Sequence, residues 1–347
     1  MKIADRSIGP GHPPYVIAEL SGNHNGQLDQ AFRLMEAAKA TGADAVKLQT
    51  YTADTITIDI DRPEFRISGG PWDGRRLYEL YQEAHTPWEW HEALFAKGRE
   101  IGISVFSSPF DFTAVDFLEK LGAPAYKIAS FECIDLPLIR RCAATGKPLI
   151  ISTGLASLDE VGEAVEAARA GGAKDIVLLH CVSAYPAPAS QYNLRRMPEL
   201  SRHFGTNAGL SDHTLGTTTA IAATTLGAVL IEKHFTLSRA DGGPDSGFSL
   251  EPAEFSRLVS DVREAWQGLG DGAFVRQSAE EPNAIFRRSL YVVSDMREGD
   301  VFTPQNLRSI RPGYGLMPKH YDSILGRKAT RDIPRGTPVQ WELVSNA

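Results

Sequence analysis

Two histidines close two β-type runs that lie one βα unit apart: His213 in GLSDHTLG (209–216) and His234 in IEKHFTL (231–237). Apolar strands rarely end on imidazoles for stability alone, so the pair points to a site at the rim of a parallel sheet. Their spacing is not that of a zinc motif. Two imidazoles without thiolates suit a six-coordinate divalent ion that keeps positions open for water and substrate. The alternative is that each ring simply bonds a backbone carbonyl. Two lysines carry a second signal. Lys47 sits between Val46 and Leu48, and Lys127 between Tyr126 and Ile128. An ammonium turned into such surroundings is costly unless paired. Internal salt bridges with Glu19, Glu132 or Glu232 would serve. Serines at the neighbouring run ends favour an anionic ligand instead, because hydroxyls beside lysines suit phosphate or carboxylate oxygens.

The same polarity recurs along the chain. In order, the run ends carry Glu19; Lys47 and Gln49; Ser107 and Ser108; Lys127, Ser130 and Glu132; Ser152; Ser183 and Tyr185; Ser211 and His213; and His234. Alternate residues of a strand share a face, which pairs Lys47 with Gln49, Ser211 with His213 and Glu232 with His234. His180 and Cys181 read as core packing. Asp212 either supports His213 or caps the helix that follows. His24, in SGNHNG (21–26), is a loop residue near the site, and Glu251 in SLEP caps the last helix.

The elements that must position these residues alternate. The strand candidates are 15–20, 45–50, 104–109, 125–130, 148–153, 175–181, 207–212 and 229–235. Helical patterns lie between them, among them 27–41, 87–101, 158–170 and 254–268. The helix from 158 opens on a capping box, Ser157 with Glu160, puts Leu158, Val161 and Val165 on one face, and stops at Gly171–Gly172. This rhythm predicts a (β/α)8 TIM barrel, whose function is built at the C-terminal strand ends. A doubly wound sheet would usually carry a Gly-rich phosphate loop after its first strand, and none is present. GLGDG (268–272) is only a turn. The predicted barrel domain covers 1–275, a polar linker 276–288, and a small β-rich domain 289–347. A module of that size is marginal alone and is expected to dock on something. The long connection 51–86 carries Trp72, Tyr78 and Tyr81 on the rim, where selectivity usually sits.

Composition narrows the partners. A net charge of −7 and 42% apolar residues describe an ordinary globular protein without a nucleic-acid surface. Cys133, Cys142 and Cys181 have no CxxC partners, so neither a disulfide framework nor a zinc knuckle is indicated. There is no apolar leader at the N-terminus and no span of membrane length. A cytoplasmic protein with no membrane partner is expected.

The strings VIAELSGNHNG (16–26), KLQTY (47–51), FSSPFD (106–111), YKIASFE (126–132), LHCVSAYPAP (179–188), GLSDHTLG, EKHFTL and GGPDSGFSLEP (242–252) resemble the sialic acid synthase family over nearly the whole chain. IRPGYGLMP (310–318) is similar to the signature of that family's C-terminal SAF, or antifreeze-like, domain. The GPDS turn (243–246) and the stretch 71–90 look like the pseudaminic acid branch. The resemblance implies condensation of phosphoenolpyruvate with an open-chain N-acetylated amino sugar, here 2,4-diacetamido-2,4,6-trideoxy-L-altrose. It implies Lys47, Gln49, Ser108, Lys127, Ser130, Ser152, Ser183 and Ser211 around phosphoenolpyruvate. Some members carry asparagine where Ser183 stands. His213 and His234 would hold a divalent ion, manganese first, with magnesium or cobalt as alternatives. Glu132 would act as base or cation stabiliser, with Glu19 helping. Asp245 and Arg311 would meet the acceptor, Arg311 from the partner of a domain-swapped homodimer, and Tyr185 and Phe286 would also bind substrate. The alternatives are an N-acetylneuraminate or legionaminic acid synthase of the same mechanism, or a non-catalytic sugar- or ice-binding protein.

Overall fold

The computed structural model describes residues 1–346. It opens with a short antiparallel hairpin, β1 (Lys2–Ile3) and β2 (Arg6–Ser7). Then come eight parallel strands: β3 (Tyr15–Glu19), β4 (Ala45–Thr50), β5 (Ser104–Pro109), β6 (Tyr126–Ile128), β7 (Leu149–Ser152), β8 (Ile176–Cys181), β9 (Asn207–Asp212) and β10 (Leu230–His234). They close into a barrel in chain order, with β10 against β3. A helix follows each strand, from Leu28–Ala40 after β3 to Pro252–Leu269 after β10. The expected (β/α)8 architecture is therefore present, and every expected strand matches to within two residues at either end.

Period-two alternation explains the layers. Val16, Ala18, Val46, Leu48, Ile128, Leu178, Leu210 and Ile231 face outward and pack beneath the helices. The intervening residues Tyr15, Ile17, Ala45, Phe106, Ile150, Val177, Leu179 and Leu230 fill the barrel's lower half. Ile3 and Ile8 of the hairpin segment join this inner cluster and close the N-terminal end. Each buried aliphatic side chain contributes roughly 1.5–3 kcal/mol. Inside the barrel this apolar packing occupies only the lower layers, so the inward positions near the C-terminal ends are left to polar residues.

Local signals place the helix ends. Ser157 and Glu160 form the expected reciprocal cap, Ser157 N donating to Glu160 Oε2 (2.7 Å) and Glu160 N to Ser157 Oγ (3.2 Å). Val161 and Val165 are buried as predicted, but Leu158 is 49% exposed, since it occupies the first turn at the barrel rim.

Contacts divide the chain after Gly270. The second unit pairs β11 (Ser289–Val292) with β12 (Leu307–Ile310) and adds isolated bridges such as Met296–Ile333 and Ala329–Val344. Leu290, Val292, Phe302, Leu307, Ile324, Ile333, Val339 and Leu343 form its core. A 3-10 helix, Ser278–Phe286, lies in the stretch expected to be a linker. Among the described residues no helix is long and apolar enough to cross a membrane.

Candidate active site

Strand register sets the first part of the site. Glu19 lies level with Lys47 on one side and His234 on the other. Lys47 Nζ is 3.0 Å from Glu19 Oε2, 3.4 Å from Glu232 Oε1 and 3.3 Å from Ser108 Oγ. Lys127 Nζ is 3.5 Å from the same Glu232 oxygen. Gln49 Nε2 donates to Glu19 Oε1 (2.8 Å), and Ser211 Oγ to Glu232 Oε1 (3.3 Å). The lysines are thus not free cations awaiting a ligand: without one, they lean on two carboxylates that the alternation of β3 and β10 brings inside. The carboxylates are not equivalent. Burial pushes Glu19 up to about 7, against the pull of Lys47, with Glu232 adding to the rise. Glu232 is held below its usual range: burial opposes the charge, but Lys127 and Lys47 outweigh it. The lysines differ as well: against burial, Glu19 and Glu232 hold Lys47 above its usual value, whereas burial brings Lys127 down despite Glu232.

A hydroxyl cradle adjoins the lysines. A Cβ on Gly154 would stand 2.2 Å from Ser183 Oγ and 2.7 Å from Ser130 Oγ, so only glycine lets these two loops meet. Ser152 Oγ, Glu132 Oε2 and Glu232 Oε2 are buried without a hydrogen-bond partner among the described residues. Buried polar atoms are nearly always paired, and orphans at one barrel end mark where a ligand belongs. Burial lifts Glu132 to about 7, partly offset by Lys127 and Lys47. Cys181, which the sequence reading assigned to core packing, lies inside this site. Its Sγ is 3.8 Å from His213 Nδ1 and 4.0 Å from Ser183 Oγ. Burial would raise its thiol, yet His213 brings it down to about 7. The signal was available: Val177, Leu179 and Cys181 are alternate residues of one inward-facing row.

The two histidine rings stand 5.5 Å apart. His213 Nδ1 bonds the Val182 carbonyl (2.9 Å) and His234 Nδ1 meets Ser21 Oγ (3.4 Å). The predicted carbonyl bond is thus real for His213, and it is compatible with ligation through Nε2. Burial, with positive charge on His213, drives His234 well below its ordinary value, so its ring is neutral. Among the described residues no cluster of three or more His, Cys, Asp or Glu is arranged for a metal. Two imidazole donors alone fit an ion that keeps water and substrate in its other positions. Tyr185 stands beside His213, ring centres 4.4 Å apart, and Phe248 beside His234 at 5.0 Å. Burial raises Asp245, against hydrogen bonds from Ser21 and the Gly22 backbone.

Asp212 turns outward and does neither of the expected jobs alone. It accepts Lys233 Nζ (2.8 Å) through Oδ2 and Thr214 N (2.9 Å) through Oδ1, while Lys233 also donates to the Thr214 carbonyl. Neither side chain of this ion pair is exposed. It ties the turn carrying His213 to the strand ending in His234. Lys233→Met should cost about 3–5 kcal/mol by stranding a buried carboxylate, read as a lower denaturant midpoint; an unchanged midpoint would dismiss the clamp. His24 is structural: it receives Gly26 N through Nδ1 and packs edge-on against Trp90. His180 is likewise tied to the Tyr192 carbonyl. Glu251 and Glu254 cap the last barrel helix, as expected. Phe286 and Arg311 belong to the second unit, where both are exposed.

Residues 34–274 match the NeuB family and 287–345 the SAF domain. The chain belongs to the NeuB family. This NeuB-family chain is 44% identical over 322 residues to the pseudaminic acid synthase of Campylobacter jejuni subsp. jejuni serotype O:23/36 (strain 81-176), covering 93% of this chain and 94% of that one. It is 37% identical to the N,N'-diacetyllegionaminic acid synthase of serotype O:2 of the same subspecies, over 91% of this chain and 96% of that one. Among solved structures, the N-acetylneuraminic acid synthetase of Leptospira borgpetersenii serovar Hardjo-bovis, in complex with citrate, aligns with a TM-score of 0.73 at 29% identity. That alignment covers 82% of this chain and 94% of the other.

Proposed function

We propose that this chain is a pseudaminic acid synthase. It joins phosphoenolpyruvate to 2,4-diacetamido-2,4,6-trideoxy-L-altrose and releases phosphate. The observation that carries the reading is the lysine- and serine-lined pocket with orphaned polar atoms beside the His213–His234 pair, all at one barrel mouth. The 44% identity to a pseudaminic acid synthase, against 37% to a legionaminic one, supports the choice of acceptor.

Lys47 and Lys127 hold the phosphate and carboxylate of phosphoenolpyruvate, with hydroxyls from Ser108, Ser130, Ser152, Ser183 and Ser211 and the Gln49 amide completing the cradle. Their carboxylate partners Glu19 and Glu232 keep the ammonium groups inside the barrel when no ligand is bound. His213 and His234 would hold a divalent ion, manganese foremost, with magnesium and cobalt also suited. When bound, that ion supplies Lewis-acid polarisation of the sugar aldehyde. The enol carbon of phosphoenolpyruvate bonds to the aldehyde carbon as the aldehyde oxygen takes up a proton to become a hydroxyl. Water adds at the cationic centre left behind, and the hemiketal C–O bond to phosphate breaks as its new hydroxyl passes its proton to the departing phosphate, leaving the 2-keto acid. Glu132, raised toward neutrality, takes the proton from that water. Asp245 and Tyr185 face the acceptor hydroxyls.

A homodimer in which Arg311 and Phe286 reach the partner's site fits the apolar surface each unit leaves open. Phe131, Ile134, Leu155 and Leu215 are exposed on loops after β6, β7 and β9, as are Phe286, Tyr314 and Met317 of the SAF unit. We place the enzyme in the cytoplasm, where phosphoenolpyruvate is available.

Phosphate release from phosphoenolpyruvate with manganese should be fast with the diacetamido-trideoxy-altrose, slow with N-acetylmannosamine, and abolished by EDTA. Release with N-acetylmannosamine alone would move the chain to the sialic acid branch, and no release with either sugar would refute the reading.

A further inference from the structure

One side chain of the long connection between β4 and the helix His91–Ile101 reaches the turn after β10. Trp72 Nε1 donates to the Pro244 carbonyl (3.0 Å). Pro244 is itself pressed against the loop after β3: a Cβ on Gly22 would lie 2.9 Å from its ring. The indole is thereby fixed with its ring centre 5.7 Å from that of Tyr185 and 6.5 Å from that of Phe248. Tyr185 and Phe248 are 5.2 Å apart, and each lies against one of the two histidines. Three aromatic rings from three separate loops therefore make one apolar wall. Two of them flank the imidazoles, and Trp72 stands one ring farther out.

We propose that Trp72 is a specificity-determining residue, its indole receiving the deoxygenated, methyl-bearing end of the acceptor and disfavouring a hydroxymethyl group there. The inference rests on the reaction proposed above and adds a claim about which end of the sugar the enzyme reads. The aldehyde must lie at the histidines, so a six-carbon chain running outward brings C5 and C6 past Tyr185 to the indole. An apolar wall there can bury a methyl group fully. A hydroxyl at C6 would lose its water against the indole face, whose N–H is already given to Pro244. Discrimination of this kind, against an added hydroxyl in an apolar pocket, is about 10²-fold at most.

The test compares kcat/KM for 6-deoxy and 6-hydroxy acceptors on two skeletons, the diacetamido altrose and N-acetylmannosamine, using the full-length manganese-loaded enzyme. Trp72→Phe keeps a ring and loses the tether; Trp72→Gln keeps a donor and loses the ring. The wild type should prefer the 6-deoxy member, Trp72→Phe should retain that preference, and Trp72→Gln should reduce it about tenfold with KM for phosphoenolpyruvate unchanged. An unaltered preference in Trp72→Gln would overturn the proposal. So would equal loss in both variants, which would make the Pro244 tether the operative contact. If the altrose pair is not turned over at all, the acceptor reading fails, and the mannosamine pair decides the wall: preference there for the 6-hydroxy member overturns it.

Discussion

His234→Ala should lower kcat by on the order of 10³-fold or more, with circular dichroism and unfolding midpoint little changed. The ring ends β10 rather than filling the core, and among the described residues its only side-chain hydrogen bond is the 3.4 Å contact with Ser21. Removing it empties space at the mouth and leaves the lower barrel packing of Ile17, Phe106, Ile150 and Leu179 intact. The loss should be specific to metal. Manganese titration followed by the metal's own paramagnetic signal should show binding weakened to a comparable degree, since only one imidazole, His213, would remain. His213→Ala should weaken manganese similarly but also cost stability, because its Nδ1 bond to Val182 ties the loops after β8 and β9 together. Near wild-type turnover of His234→Ala in saturating manganese would remove the imidazole pair from the chemistry. Loss of turnover with unchanged manganese affinity would keep the residue in the site but take away its role as ligand.

The strands were legible because a parallel barrel imposes two demands at once. Each strand needs an apolar face for its helix and an inward face that changes character along its length. AVKLQT satisfies both, with Val46 and Leu48 under helices, Ala45 low in the barrel, and Lys47 and Gln49 high. Alternation could therefore place Lys47, Gln49, Ser211 and Glu232 on the inside without any structure. It could not say which carboxylate meets which lysine. That depends on stagger between strands far apart in sequence, so the sharing of one Glu232 oxygen between Lys47 and Lys127 had to be seen.

What sequence reasoning missed follows the same boundary. Cys181 was set aside because cysteine behaves as a small hydrophobe in most cores, although its row in β8 pointed to the mouth. Lys233 carries no local signal in the sequence. Its partner Asp212 becomes apparent only once β9 and β10 lie side by side. The N-terminal plug was invisible for a different reason: Ile3 and Ile8 are lone apolar residues in a polar stretch, and their value comes from the open barrel end above them. The reach of Trp72 to Pro244 links the insertion after β4 to the turn after β10, a contact that no local pattern encodes.

Glu132→Gln should lower kcat by about 10²- to 10⁴-fold, the range for loss of a general base, and should also change the pH profile. Burial lifts Glu132 to about 7, and a base must be ionised to accept a proton. Wild-type kcat should therefore rise as pH passes upward through about 7 and level off above it. Glu19 also lies at about 7, so the rise is a property of more than one carboxyl, and its midpoint alone assigns nothing. The variant separates them. Glutamine keeps the size of the side chain and removes the titration, so any rise that survives in Glu132→Gln belongs to the other groups of the site brought near 7, the Glu19–Glu232 pair and Cys181. Glu19→Gln should instead act on ground-state binding. It fixes the site in the uncharged form that Glu19 approaches below neutrality, leaving Lys47 and Lys127 opposed by Glu232 alone, so KM for phosphoenolpyruvate should fall or hold while the Glu132 limb persists. A full-strength limb in Glu132→Gln with kcat near wild type would exclude Glu132 as the base. The proton from the attacking water would then have to leave through Glu19 or the departing phosphate.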